Sequence, residues 1–381
     1  MPPETKLLAP LQLIMLRDSL AGGEPGAHVE QVEVVFADAV DGEHFAAAWA
    51  MTVAATEVLQ MTFVIRGDEP VGWEKAEQAA TLEWTAPTPT RLEKWRAADR
   101  VSPLLVPGTT PWRAVYWPDD RRFIWTFHHA LLDGRSITRV LRGFFRSLRE
   151  GIPPETSAVT VWTLPDDRMK ARAERIFQQE FAGLKPVGEF SEAPVPPKAV
   201  RCLGKGAAAR LESVAKAMRV SPATLLMWCW GQAVVKSSGA DTAIVEQVRC
   251  GTPQEGRTGF TMNTLPLSIH RAAADPLDAQ LQKFRARLMA MREIESIAPY
   301  DLPPEVVALT NSPWSSVIMI EGGTPEHMAG GGKLVESVTL HEWPGESLTA
   351  VAYHLPDLRL EVEGPRNAEL LERWSAELSR L

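Results

Sequence analysis

The chain has 381 residues, 45% of them hydrophobic and 23% charged, a balance that excludes a disordered or fibrous protein and points to dense cores. At roughly 150 residues per domain, that length reads as two compact units. The formal net charge of -8 gives no general pull toward nucleic acid or an anionic membrane, both of which need a basic footprint, so neither is an expected partner.

In chain order, His28 to Phe36 alternates apolar Val32 and Val34 with polar Gln31 and Glu33 and reads as a strand. Asp41 then caps a helix whose Phe45, Trp49, Val53 and Leu59 fall near helical spacing. Arg113 to Trp117 and Arg122 to Phe127 form a hairpin across Pro118-Asp119-Asp120, and His128-His129 follows directly. Beyond Gly134, Ile137, Val140, Leu141, Phe144, Phe145 and Leu148 make an amphipathic helix. A charged helix runs from Asp167 to Gly183, and Pro194-Val195-Pro196-Pro197 reads as a linker between domains at 1–185 and 186–381.

The second half opens with a helix from Ala207 to Met218. A further helix is capped by Ser221-Pro222 and stopped by Gly239. Ala243 to Val248, Arg257 to Ile269, Ser315 to Ile320 and Leu348 to His354 are strand candidates, and a helix from Ala368 to Leu381 closes the chain. Cys202, Cys229 and Cys250 lack paired spacing, the start lacks a signal peptide, and no apolar run approaches the roughly 18 residues of a membrane helix. A cytoplasmic monomer is expected.

His129 stands where a general base is useful, at a strand end and on a loop, with Asp133 four residues on. An imidazole titrates near neutrality and can take a proton from an amine or hydroxyl as that group attacks a carbonyl. Asp133 would fix the loop by accepting backbone amides or pairing with an arginine, and Gly134 would supply a backbone conformation closed to other residues. Two alternatives stay open on spacing alone: a metal site completed by His270, His327, His341 or His354, none of which has ligand spacing, and a pair of buried structural histidines.

The segment from His128 to Gly134, HHALLDG, resembles the HHxxxDG signature of the condensation-domain superfamily of nonribosomal peptide synthesis. Leu8-Ala9-Pro10-Leu11-Gln12 is similar to that family's opening segment, Ala55 to Phe63 to its RHExLRTxF helix end, and Gly259 to Leu267 to its GxFxNTLPLR block. The resemblance implies a mixed α/β fold of two chloramphenicol-acetyltransferase-like lobes in a V with a central tunnel. It implies an acyltransferase with His129 as the catalytic residue and His128, Asp133 and Gly134 shaping its loop. The donor would be an acyl thioester on phosphopantetheine, carried by a carrier protein or coenzyme A. The acceptor would be a small-molecule amine or hydroxyl, with no tightly bound cofactor or metal. Asn263 and Ser316 are candidate tunnel residues. A non-catalytic relative that binds a carrier-linked chain, and an epimerisation-type relative, are the alternatives.

Two departures matter. Gln60 stands where the family has the arginine that often anchors the motif aspartate, leaving Arg66 or Arg249 to substitute, and Ser268 replaces the arginine ending the NTLPLR block. Separately, Arg135, Arg139, Arg142, Arg146 and Arg149 recur every three or four residues along one helix face. That ridge reads either as a solvated face or, for Arg135, Arg139, Arg142 and Arg146, as contacts for an acidic carrier or the phosphates of coenzyme A.

Overall fold

Strand alternation in the first half and helical spacing on either side of it place aromatic side chains on facing surfaces, and the architecture follows from burying them. A computed structural model describes residues 6–84, 88–188, 197–251, 254–342 and 348–381. The proline-rich linker at 194–196 lies outside the described residues.

The elements in chain order are α1 (Pro10–Leu20), β1 (Val29–Phe36), α2 (Gly42–Ala55), β2 (Met61–Arg66), β3 (Glu69–Lys75), β4 (Leu82–Glu83), α3 (Leu92–Arg100), β5 (Trp112–Trp117), β6 (Arg122–His128), α4 (Gly134–Glu150) and β7 (Ala158–Val159). Next come α5 (Asp167–Phe181), β8 (Ala199–Leu203), α6 (Gly204–Ala217), α7 (Pro222–Ser238), β9 (Thr242–Arg249), β10 (Arg257–Thr258) and β11 (Asn263–His270). The chain ends with α8 (Leu277–Arg292), α9 (Pro304–Thr310), β12 (Ser316–Glu321), α10 (Pro325–Ala329), β13 (Val335–His341), β14 (Leu348–Tyr353), β15 (Leu358–Glu363) and α11 (Asn367–Ser379).

Two compact units result: residues 1–162, 250–262 and 325–343, and residues 163–249, 263–324 and 344–381. This differs from a single break at 185/186. Two segments of the second half return to the first unit, where β13 pairs with β1 and β10 with β7. The extended stretch from Arg257 to Ile269, broken in the sequence at Asn263-Thr264-Leu265-Pro266, is two strands, one in each unit.

The sheet of the first unit has the order β13-β1-β6-β5-β4, with antiparallel pairs at β13-β1, β1-β6 and β6-β5. Phe123, Trp125 and Phe127 alternate inward along β6 and meet Phe45 and Trp49 of α2 and Phe144 of α4. Asp41 caps α2 through His44 N at 2.9 Å, while α2 ends at Ala55 because Thr56 is extended, leaving Leu59 in a following single turn. All six apolar residues of the α4 stripe are buried and its five arginines are exposed.

The sheet of the second unit is mixed, in the order β11-β9-β12-β14-β15-β8. Its core gathers Trp228, Trp230, Phe284 and Trp374, and the two deepest indoles find acceptors, Trp230 Nε1 on Ser316 Oγ at 2.9 Å and Trp374 Nε1 on Leu226 O at 3.0 Å. Among the described residues no helix is long and apolar enough to cross a membrane.

Phe144→Ala would remove a ring fully enclosed by Phe45, Trp49, Phe123 and Phe145. The expected loss is about 3–5 kcal/mol, read by urea unfolding with a probe in the first unit. A loss under about 1 kcal/mol would mean that this core is not packed as described.

Candidate active site

At the end of β6 the chain leaves the sheet through a single turn, His129 to Leu131, before Asp133 starts α4. His128 is buried, 2% exposed. Its Nδ1 accepts from Ala130 N at 3.1 Å, so the proton sits on Nε2, which donates to Ser19 Oγ at 3.1 Å. Burial, with smaller contributions from His28 and His129, pushes its pKa down to about 3. His128 is therefore a neutral donor, and it does not draw a proton from Ser19.

His129 is held differently. Its N–H donates to the carbonyl of His28 at 2.7 Å, and its Nδ1–H donates to Leu132 O at 3.2 Å. The lone pair of Nε2 is left for chemistry, and the ring packs edge-on to Phe260 with centroids 5.8 Å apart. Burial lowers its pKa, opposed by Glu342, the Leu132 carbonyl and Asp133. At neutral pH the ring is neutral and able to accept a proton.

Asp133 is 1% exposed and caps α4: Oδ1 accepts from Ser136 N at 2.8 Å, and Oδ2 accepts from Thr261 N at 3.0 Å and Thr261 Oγ1 at 2.8 Å. Its partners are thus amides and a hydroxyl, not an arginine. Gln60 instead donates to Val53 O and Ala54 O, both at 3.1 Å, closing the end of α2. Neither suggested substitute pairs with Asp133: Arg66 is exposed, and Arg249 binds Glu295 at 2.7 Å in the second unit. Gly134 needs no special backbone either. It is the first residue of α4, outside the left-handed region, and a Cβ there would meet nothing within 4 Å.

The remaining expected residues divide between the units. Arg139, Arg142 and Arg146 line a cleft of about 240 Å³ with Thr56, Ser157 and Thr258, whereas Arg135 turns to Cys250 O and Gly251 O. In the second unit, buried Asn263 donates to Glu295 O at 2.8 Å and Ile297 O at 2.6 Å, and Ser316 receives the Trp230 indole. Ser268 leaves no gap where the family has arginine: Arg287 donates to its Oγ at 2.8 Å and to Glu180 Oε2 at 2.8 Å, and Ser268 N donates to Glu180 Oε1 at 2.7 Å. Of the other histidines, His270 bonds Thr242, His341 bonds Glu33 and His354 bonds Glu321 O, in three separate places.

Sequence reasoning missed Gln12, Ser19, Phe260 and Thr261. Gln12 is buried, caps the backbone of Ala9 and donates to Ala130 O at 2.7 Å, tying α1 to the histidine turn. Its segment, like that of Phe260 and Thr261, carried the resemblance, but nothing local marks which side chain reaches the loop.

No family model matches the chain. In sequence it is similar to a linear gramicidin synthase protein of Brevibacillus parabrevis, 27% identical over 329 residues, 76% of this chain and 4% of that protein. It is also similar to chondramide synthase cmdD of Chondromyces crocatus, 24% identical over 313 residues, 73% of this chain and 8% of that one. The chain thus spans less than a tenth of either relative's length. In structure it is similar to the first condensation domain of the calcium-dependent antibiotic synthetase, with TM-score 0.73 and 17% identity over 99% of this chain and 96% of that one. A second similar structure is the starter condensation domain of rhizomide synthetase in complex with C8-CoA and Leu-SNAC, with TM-score 0.72 and 14% identity over 98% and 93%.

The depressed pKa of His128 has a consequence for stability. The unfolded chain binds a proton here below about pH 6.5 that the folded chain refuses until about pH 3, so this contribution is complete above pH 6.5 and is lost as pH falls. Across that window His128→Asn should reduce the slope of unfolding free energy against pH by up to about 1.4 kcal/mol per pH unit. Urea titrations at several pH values measure it, and an unchanged slope counts against the buried neutral ring.

Proposed function

We propose, from the premise that this chain belongs to the condensation-domain superfamily of nonribosomal peptide and polyketide synthesis, that it transfers an acyl group from a phosphopantetheine thioester to an amine or hydroxyl, forming an amide or ester. The observation that carries this reading is the hydrogen bond from His129 Nδ1 to Leu132 O, which orients the ring and leaves Nε2 unprotonated at the end of a rigid strand.

As the acceptor nitrogen or oxygen attacks the thioester carbon, His129 Nε2 takes its proton. The carbon–sulfur bond then breaks, and the departing thiolate receives that proton from the imidazolium. No acyl-enzyme is needed, and Ser19 is no candidate for one, since its hydroxyl accepts from His128. The complete hydrogen bonding of Asp133 favours the catalytic reading over a non-catalytic relative, because the loop is held without its arginine. The rhizomide starter domain holds C8-CoA and Leu-SNAC in its structure, which supports a thioester donor and an aminoacyl acceptor for this chain too. The cleft beside Arg139, Arg142 and Arg146 suits a phosphate of that donor or an acidic carrier.

His129→Ala should keep the circular dichroism spectrum and donor binding while lowering kcat by roughly 10²–10⁴, the usual share of general base catalysis. Mass spectrometry of the acylated product measures it, and activity equal to wild type removes the base role. Arg142→Glu with Arg146→Glu should raise KM for the donor most at low ionic strength. Kinetics that are unchanged across a salt series would reduce the ridge to a solvated face.

A further inference from the structure

We propose that Asp18 and His28 are positioning residues for His129: the Asp18 carboxylate holds the His28 ring, and with it a left-handed bend whose carbonyl anchors the His129 backbone. The inference rests on the reading of His129 as base.

His28 lies just before β1, where the β1-β6 ladder ends with Val29 opposite His128. One more rung follows, the His129 N–H donating to His28 O at 2.7 Å. His28 does not make that rung as a strand residue, for its φ is 58, inside the left-handed region. A residue with a Cβ keeps that conformation only where its surroundings over-determine it, and histidine is among the few side chains that visit it.

Those surroundings are α1 and the turn after it. His28 Nε2 donates to Asp18 Oδ2 at 2.8 Å, and the His28 ring lies against that of His128 with centroids 6.3 Å apart. The connection is wound tightly enough to return residue 28 to residue 18: Gly23 N donates to Asp18 O at 3.1 Å, Ala27 N to Glu24 O at 2.9 Å and Val29 N to Gly26 O at 3.2 Å. Two consecutive residues of α1 thus reach the two motif histidines, Ser19 directly at the His128 ring and Asp18 through His28 at the His129 backbone.

For His129 the consequence is geometric. Its side chain has one anchor, Nδ1 on Leu132 O at 3.2 Å, and its backbone has the other, the His28 carbonyl. Both together set the direction of Nε2, whereas with Nδ1 alone the turn can rock about the end of β6. Misplacing a reacting group by about 1 Å costs up to about a hundredfold in rate. The Asp18 and His28 side chains are 50% and 29% exposed, so their pairing adds little to stability, and its effect is confined to the residue it aims.

Two measurements on the full chain test this. In residue-level amide hydrogen exchange, the His129 amide should exchange about tenfold faster in Asp18→Ala, with the amides of Ile124 to Phe127 and the urea midpoint unchanged. Asp18→Asn, which still offers an oxygen to His28 Nε2, should restore slow exchange. With octanoyl-CoA as donor and leucyl-N-acetylcysteamine thioester as acceptor, Asp18→Ala should lower kcat about tenfold with KM little changed, and Asp18→Asn should regain it. Adding His28→Ala to Asp18→Ala should lower kcat little further, because the pair acts as one unit. Variants are compared at matching circular dichroism, so misfolding is scored separately. An unmoved His129 amide, exchange that rises along all of β6, or a fully active Asp18→Ala overturns the positioning role. If His129→Ala keeps wild-type activity while the His129 amide responds as expected, the base reading fails and the anchor stands. If His129→Ala is inactive and the amide does not respond, the base reading stands and the anchor fails.

Discussion

A buried carboxylate is stable only where its lone pairs are filled, and in this chain one such carboxylate organises everything around it. Asp133 begins α4, receives the amide of Ser136 within its own helix, and receives an amide and a hydroxyl from Thr261, more than a hundred residues later in the chain. Those bonds close a loop whose other wall is the end of β6, so the turn carrying His129 is clamped at both ends. The positive end of the α4 dipole faces the same carboxylate and adds to its hold. A segment of the second half must therefore return to the first unit for the site to exist at all, which explains why the units are not two continuous halves.

The two histidines divide their work by their hydrogen bonds. His128 spends its Nδ1 on Ala130 N and its Nε2 proton on Ser19, and burial keeps it neutral far below ordinary histidine pH. His129 spends only Nδ1, on a carbonyl, which fixes the tautomer that leaves Nε2 basic. Adjacent identical side chains thus end in different states, one with both ring nitrogens hydrogen-bonded and one with Nδ1 alone hydrogen-bonded, and the difference lies in which groups meet them.

The departures from the family pattern are absorbed rather than left as gaps. Gln60 closes α2. At Ser268, where the family has arginine, Arg287 of α8 arrives from elsewhere in the second unit and forms a half-buried cluster with Glu180. At Asp133 the arginine's place is taken by two backbone amides and the Thr261 hydroxyl.

Much of the fold was legible because its signals are local. The period of two along β6, the three-and-four spacing of Ile137 to Leu148, Asp41 as a cap and Gly239 as a stop each act within a turn or a strand. The β2-β3 hairpin, α1, α3 and α8 are not legible in the sequence, since β2 and β3 have mixed patterns and the helices lack a clean apolar stripe. The histidine motif and its family were readable from residue order alone, because consecutive residues stay consecutive in space. What only the tertiary structure decided was the partner of each motif side chain: Ser19 for His128, Thr261 for Asp133, Gln12 for the Ala130 carbonyl. Those contacts join residues separated by roughly a hundred positions or more, and hydrogen bonds a few ångströms long are set by how strands and helices pack, which no local spacing encodes.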